Sequence, residues 1–142
     1  MTSSPIVLDA DVASNADVMM LCTSSGTPAL NAGAIARHAL VTSIITNVRH
    51  AHEIAPEFLN TAQGYCDYRA TTPDAAGEME LATRDHGWSA ANIHGDLAEL
   101  SATLCDLPDA ASPVFFRSVG LGLEGIAIAG AICCAALSER SN

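Results

Sequence analysis

The sequence predicts an α/β fold in which a largely parallel sheet carries flanking helices and a long apolar helix follows at the C-terminal end. Short apolar runs rich in β-branched residues alternate with segments of helical composition. Two of these runs lead into turns that are rich in hydroxyl side chains and closed by proline, which is typical of the carboxyl edge of a parallel sheet. With 142 residues, 49% of them hydrophobic, the chain is long enough for one core.

The elements predicted in the first half of the chain start with a brief helix in an acidic segment. A buried strand comes next and runs into the first hydroxyl-rich turn, residues 23–28. In chain order, the predictions are a helix within Leu8 to Asp17, strands at Val18 to Cys22 and Leu40 to Ile45, a short helix at Pro56 to Gln63 and a strand at Tyr65 to Tyr68.

In the second half, Thr72 is predicted to cap a helix that has Pro73 at its first position and ends near Thr83. A polar loop that contains Trp88 follows. The remaining predictions are an amphipathic helix at Asp96 to Leu104, a strand at Pro113 to Val119 and a long helix rich in small residues at Leu121 to Leu137.

The charge composition excludes several mechanisms. The chain has 16 acidic and 6 basic residues, a formal net charge of −10, and every base is an arginine. Without lysine there is no Schiff-base chemistry and no phosphate-binding P-loop lysine. An acidic surface repels nucleic acid and anionic lipid, so neither is an expected partner.

The five cysteines are an odd number and show no CxxC spacing. We interpret them as free thiols in a reducing compartment, and the adjacent pair Cys133 and Cys134 as packing residues. The N-terminus shows no basic segment followed by an apolar one, so we expect no signal peptide and a cytoplasmic location.

Residues 120–125 match the pattern GxGxxG, which often marks a dinucleotide-binding turn. That turn requires a further strand after its helix and an acidic residue about 20 positions on. The chain ends seventeen residues after Gly125. The match is therefore not interpreted as a pyrophosphate-binding turn.

The same region also raises the alternative of a membrane-associated helix. Residues 119–137 contain Glu124 as their only charge, and Arg117 and Arg140 flank them. Glu124 shortens the uncharged part to thirteen residues, a length more typical of a buried core helix. A core helix is the preferred interpretation, and a membrane anchor stays an alternative.

A metal site is not expected. His50, His52 and Glu53 lie close together in the sequence, and His38 lies upstream. No third ligand has a recognisable spacing, so the histidines are interpreted as solvent-facing loop residues.

Five separated stretches resemble, in the same order, the ornithine cyclodeaminase/mu-crystallin family, which includes ketimine reductases and the archaeal type of alanine dehydrogenase. The last stretch, FRSVGLGLEGIAI, resembles the family pattern FKSVGLALEDLAA and is the most specific. The stretches are residues 16–25, 41–59, 66–78, 93–100 and 116–128.

This resemblance implies an incomplete Rossmann-like, NAD(P)-binding parallel sheet. Residues 1–118 would be the C-terminal half of that domain, and residues 119–142 a helix that packs on the family's N-terminal domain. The implied chemistry is hydride transfer between NAD or NADP and an amino acid or cyclic imine. By resemblance, Thr23 lies near the cofactor ribose, Ile44, Ile45, Thr46 and Asn47 pass under the nicotinamide, Ser118 contacts the nicotinamide and Val119 contacts the substrate.

Two departures from the family pattern bear on the reaction. Ile45 replaces a glycine where the backbone approaches the nicotinamide. Asn47 replaces the aspartate of the cyclodeaminases, and an amide cannot act as a general base. Imine reduction is therefore expected rather than ornithine cyclisation.

Family members are much longer, and their N-terminal part carries the substrate-binding lysine, the dimer sheet and the glycine-rich turn. We therefore expect hydride transfer only with a partner chain that supplies this part, and negligible dinucleotide binding by the chain alone. The alternative is a non-catalytic interaction module that associates with a partner or with copies of itself through the apolar helix.

Overall fold

The computed structural model describes residues 10–23, 26–44 and 50–139. They form a five-stranded sheet with helices and short 3₁₀ turns between the strands. The strands are β1 (Val18–Leu21), β2 (Leu40–Ser43), β3 (Gln63–Cys66), β4 (Ile93–Asp96) and β5 (Val114–Arg117). The α-helices are α1 (Ala10–Asn15), α2 (Thr72–Ala75), α3 (Gly77–Asp85), α4 (Leu97–Ser101) and α5 (Gly122–Glu139), and 3₁₀ turns span Ala32–Ala34, Pro56–Asn60 and Ala90–Asn92.

The strand order is β1-β2-β5-β3-β4, and every pairing is parallel. The last strand in the sequence therefore lies at the centre of the sheet. Because all strands run the same way, their carboxyl ends meet along one edge. The predicted α/β fold with a parallel sheet and a Rossmann-like arrangement is confirmed.

The core fills the space between one face of the sheet and the elements that follow β2 and β3. Phe115 is fully buried at the centre of the sheet, and its ring contacts that of Phe58 edge to face, with ring centres 6.2 Å apart. Met79 of α3 and Trp88 are buried in the same cluster. This arrangement gives the sheet one well-packed apolar face.

Helix α3 lies unusually close to the preceding chain. A Cβ atom at Gly77 would stand 2.4 Å from the carbonyl oxygen of Ala51, far inside van der Waals contact. Only glycine therefore allows α3 to begin against the backbone of His50 and Ala51.

The opposite face of the sheet is covered unevenly. Near β3 and β4, the side chains of Gln63 and Tyr65 are held by carbonyl groups of the segment 106–112. At the other end, Val18 and Met20 of β1 are 58% and 69% exposed. Parallel sheets are normally covered on both faces, so this end presents an apolar surface.

Helix α5 projects away from the sheet with its large apolar side chains exposed. They lie on several sides of the helix, and their exposed fractions run from 63% to 73%; they are Leu123, Ile126, Ile128, Ile132 and Leu137. Of the helices in the described part of the chain, none reaches the length and hydrophobicity that a membrane crossing requires.

Several sequence predictions of elements need correction. The predicted helix from Pro73 is in fact two helices, because Ala76 has an extended backbone between them. Thr72 is the first residue of α2 rather than its cap, since its hydroxyl donates to Asp67. Trp88 lies in a loop as predicted, but its side chain is buried in the core.

Other corrections concern the strands. The predicted strand at Tyr65 to Tyr68 lies two residues too late, because the chain leaves the sheet where Asp67 accepts the N–H of Tyr68. Strand β4 was not predicted, since His94 and Gly95 break any β-branched pattern. Asp96 ends that strand and caps α4, so the predicted helix starts at Leu97 and ends at Ser101.

Candidate functional site at the carboxyl edge of the sheet

Three adjacent strands bring predicted site residues together at the carboxyl edge. Thr23 follows β1, Ile44 follows β2 and Ser118 follows β5. The backbone keeps them side by side: the N–H of Ile44 faces the carbonyl of Leu21 at 3.4 Å, and the N–H of Ser118 donates to the carbonyl of Ser43 at 3.0 Å. Ligands of open parallel sheets bind outside this edge, so the row is a candidate binding site.

Asp67, directly after β3, holds the turn that follows β5. Its Oδ2 atom accepts hydrogen bonds from the N–H groups of Val119 and Gly120 at 2.8 and 2.9 Å, and from the hydroxyl of Ser118 at 3.1 Å. Its Oδ1 atom accepts from the N–H of Tyr68 and the hydroxyl of Thr72. Asp67 is almost fully buried, so the turn is fixed from beneath by a carboxylate.

These contacts bear on whether the GxGxxG turn at residues 120–125 can bind a pyrophosphate. The N–H groups at the start of the turn already donate to Asp67, and that of Leu121 donates to Glu124 Oε2 at 3.1 Å. Two carboxylates stand where a dinucleotide-binding turn would present free N–H groups to a pyrophosphate. A phosphate placed there would be repelled.

Glu53 holds the other side of the row. It is fully buried, and its Oε1 atom accepts the backbone N–H of Thr23 at 2.5 Å. Its Oε2 atom accepts the hydroxyl of Ser43 at 2.8 Å. The ends of β1 and β2 are thus tied to one carboxylate.

Arg117 extends this network to α3. Its guanidinium donates to the oxygen of Ser43 at 2.9 Å, and its Nε atom lies 2.8 Å from Glu78 Oε1. Both side chains of the ion pair are at most 1% exposed. Burial raises the pKa of Glu78 above its ordinary value, while the charge of Arg117 lowers it in part.

An apolar cavity of about 540 Å³ adjoins the row, between the start of α4 and the start of α5. Tyr68, Leu97, Leu121 and Leu123 supply much of its wall. The carboxylate of Asp67 at its border is engaged by hydrogen bonds from the β5 turn and from Tyr68 and Thr72. The cavity therefore suits an apolar group next to the candidate site.

The structure places four of the predicted site residues at one edge. Thr23 and Ser118 are half-buried, Ile44 is 47% exposed, and Val119 packs partly against the core. The other three, Ile45, Thr46 and Asn47, lie outside the described residues.

The histidine segment does not form a metal site in the described part of the chain, where no cluster of three or more suitable ligands occurs. Glu53 turns into the core and away from the histidines. The histidines are not fully solvent-facing, as the sequence suggested, because both are half-buried. His50 Nδ1 lies 3.1 Å from Glu80, and the ring of His52 contacts the carbonyl of His50.

Sequence reasoning missed the three charged residues that organise the site: Glu53, Asp67 and Arg117. Arg117 and Asp67 both lie at strand ends in apolar surroundings, where a charge is costly without a partner. A charged residue in such a position is expected to have a buried partner. The partners of Arg117, Glu78 and Ser43, are distant in sequence and could not be identified from it.

Comparisons with known proteins agree with this architecture. No protein-family model matches the chain. The chain is 51% identical, over 117 residues, to the NAD(P)H-dependent anabolic L-arginine dehydrogenase DauB of Pseudomonas aeruginosa. The match covers 82% of this chain and 37% of that enzyme, so the chain spans little more than a third of its relative.

Solved structures give the same picture. A probable ornithine cyclodeaminase from Bordetella pertussis Tohama I is 32% identical with a TM-score of 0.74, and the match covers 85% of this chain and 39% of that one. The iminosuccinate reductase of Paracoccus denitrificans in complex with NAD⁺ is 23% identical with a TM-score of 0.78, over 95% of this chain and 41% of that one, and supports the fold. The chain is therefore similar to the C-terminal part of members of the ornithine cyclodeaminase/mu-crystallin family.

Proposed function

We propose that this chain forms the nicotinamide side of a site for NAD(P)-dependent hydride transfer to or from an amino acid or imine. The observation that carries the proposal is the row of Thr23, Ile44 and Ser118 on three adjacent strands, at the edge where such sheets bind ligands. The Pseudomonas relative is NAD(P)H-dependent, and the Paracoccus enzyme was solved with NAD⁺. Free cysteines in the described part agree with a cytoplasmic enzyme.

The residues fit one half of a dinucleotide and not the other. Small hydroxyl side chains and an exposed isoleucine along the edge suit a ribose and a nicotinamide ring. The cofactor would supply the hydride, or accept it. The chain's own part is to orient the ring through the edge formed by Thr23, Ile44 and Ser118, and to set the substrate position next to Val119.

Asn47 favours imine reduction or amino-acid oxidation over cyclisation of ornithine. The amide cannot take up a proton as a general base would, whereas reduction of an imine draws on the hydride of the cofactor. The substrate class is therefore an amino acid or an imine.

The pyrophosphate side must come from elsewhere. The turn at residues 120–125 is occupied by carboxylates, and well over half of the Pseudomonas enzyme lies outside the match. We propose that a complementary N-terminal part completes the site, in the same polypeptide or in a partner chain. Helix α5 would pack on that part, because a helix that is apolar on all sides is normally buried.

The proposal is tested by complementation. The chain is titrated with NADH and NADPH alone and then after co-expression with the N-terminal part of the Pseudomonas relative, with nicotinamide fluorescence as the readout. We expect binding and imine-dependent oxidation of the cofactor only in the complemented protein. Tight binding by the chain alone, or none after a soluble complex has formed, would contradict the proposal.

A matched pair of variants locates the site. Ile44→Asp places a charge on the proposed nicotinamide edge, and Leu107→Asp places one on a distant exposed loop where the side chain is 75% exposed. Ile44→Asp is expected to weaken cofactor binding by about tenfold, equivalent to about 1.4 kcal/mol, and Leu107→Asp to leave it unchanged.

A second candidate function is a non-catalytic interaction module. The observation that favours it is the exposed apolar surface of α5, because exposed apolar patches commonly mark protein–protein interaction sites. Light scattering on the chain, alone and then mixed with the complementary part, separates the two functions. A self-associated species that persists after mixing favours the interaction module.

A further inference from the structure

We propose that Glu53 is a positioning residue that fixes the backbone at Thr23, just after β1, for the dinucleotide. This inference rests on the proposed function, because Thr23 matters only if that edge receives the cofactor. Glu53 itself does not face the edge: it is fully buried beneath it. It would act through the backbone N–H of Thr23, which donates to its Oε1 atom.

Two features of Glu53 argue for positioning rather than for filling space. A buried carboxylate is costly in an apolar core unless its oxygens accept hydrogen bonds from fixed donors. Here one oxygen accepts from the chain that follows β1, and the other from Ser43 at the last position of β2. Both donors lie at the carboxyl edge of adjacent strands, and a purely apolar side chain could hold neither.

The link to Arg117 makes this support rigid. Ser43 donates to Glu53 and accepts from Arg117, so its hydroxyl orientation is determined on both sides. Arg117 is in turn held by Glu78 of α3. A chain of hydrogen bonds and one ion pair therefore connects Thr23 to the packed helix α3.

The chain offers a matched control, since Glu53 and Glu78 are both fully buried and both belong to the Arg117 network. Glu53→Met and Glu78→Met remove the same group and leave a side chain of similar volume. Only the first removes the acceptor of the Thr23 N–H. Glu53→Gln is the rescue variant, because its amide oxygen can still accept that N–H.

Two measurements test the proposal. In the complemented enzyme, Glu53→Met should raise the KM for the dinucleotide about tenfold with little change in kcat at saturating cofactor, whereas Glu78→Met, which leaves the acceptor of the Thr23 N–H in place, should raise it by less than about threefold. Glu53→Gln should restore a KM within about threefold of the original, because the main hydrogen bond is kept. Equal effects of the two methionine variants on KM, or no rescue by glutamine, would overturn the positioning role.

The second measurement does not depend on cofactor binding. Hydrogen exchange of the Thr23 amide in the full chain should be slow, faster in Glu53→Met, and slow again in Glu53→Gln. If the chain never binds a dinucleotide, the proposed function fails while this result still reports on Glu53. If Glu53→Met does not fold, Ser43→Ala replaces it, since loss of the second donor should speed Thr23 exchange; unchanged exchange there counts against the proposal.

Discussion

Helices α3 and α5 are the two most different environments in this molecule. Helix α3 has nine residues, several of them charged, yet Glu78, Met79 and Ala82 are buried against the sheet. Helix α5 has eighteen residues and far higher hydrophobicity, yet its large side chains are exposed. Hydrophobic content therefore does not decide which helix is buried here.

The difference lies in what each helix has to pack against. Helix α3 places its apolar residues on one side, and one buried charge, Glu78, finds Arg117 in β5. Helix α5 is apolar on all sides and projects beyond the sheet. A helix of that pattern is usually enclosed, which is the physical basis for our proposal that α5 packs on a complementary part. Three predictions test the contrast between the two helices.

The largest effect is expected at the ion pair of α3. Arg117→Met leaves Glu78 buried without its cation, so the free energy of unfolding should fall by about 3–5 kcal/mol. Urea denaturation measures this loss.

The control for this change is Arg84→Met, which removes an exposed arginine from the last turn of the same helix. Little change in stability is expected there, because exposed ion pairs contribute little. The double variant Arg117→Met with Glu78→Met should be more stable than Arg117→Met alone. Equal losses for Arg117→Met and Arg84→Met would show that the buried pair does not anchor α3.

The next effect compares two glycines. Gly77→Ala forces a Cβ against the carbonyl of Ala51 and should cost about 1–3 kcal/mol, as overpacking does elsewhere. Gly130→Ala in α5 has nothing within 4 Å and should add about 0.5–1 kcal/mol to helix stability. Thermal or urea unfolding of both variants is the measurement. A clear loss for Gly130→Ala would mean that α5 is already packed in solution.

The smallest effect is expected for the alkylation of the cysteine thiols and for the pH dependence of stability that arises from Cys66. Cys66 is fully buried in the core, whereas Cys133 and Cys134 are exposed on α5. Burial, together with the nearby carboxylates of Asp67 and Asp96, raises the pKa of Cys66 to about 11. Mass spectrometry after alkylation should show rapid labelling of the two α5 cysteines and labelling of Cys66 only on unfolding.

The sign of the pH dependence follows from that pKa. The unfolded chain releases the Cys66 proton near the ordinary value of 9.0, while the folded chain keeps it until about 11. Stability contributed by the protonated thiol is therefore present below about 9 and lost as the pH rises towards about 11. Cys66→Ala should flatten this alkaline slope. Prompt labelling of Cys66 in the folded chain at neutral pH would contradict its burial.

The sequence could predict the strands with a clear apolar run, β1, β2 and β5, within two residues at each end. It failed at β4, where Ile93, Gly95 and Asp96 pair with β3 although the local sequence lacks a strand pattern. Strand propensity is set largely by neighbours, so a weak pattern becomes a strand when a sheet provides the partner.

The residues of the candidate site were likewise predicted only in part. The family pattern pointed to Thr23, Ile44, Ser118 and Val119, and the structure brings these residues to one edge of the sheet. The supports of that row, Glu53 and Asp67, are joined to it by hydrogen bonds across 30 and 51 positions. No local pattern carries such a pairing.

The α/β class and the parallel sheet could be predicted from the sequence, because strand and turn residues reflect local backbone preferences. The resemblance to the family came from its motifs. The tertiary structure was needed to show that β5 lies in the centre of the sheet, that Arg117 pairs with a buried glutamate, and that α5 is uncovered within the described part of the chain. These facts depend on contacts between residues far apart in sequence, and burial of a charge or an apolar face is a property of the assembled surroundings rather than of the residue.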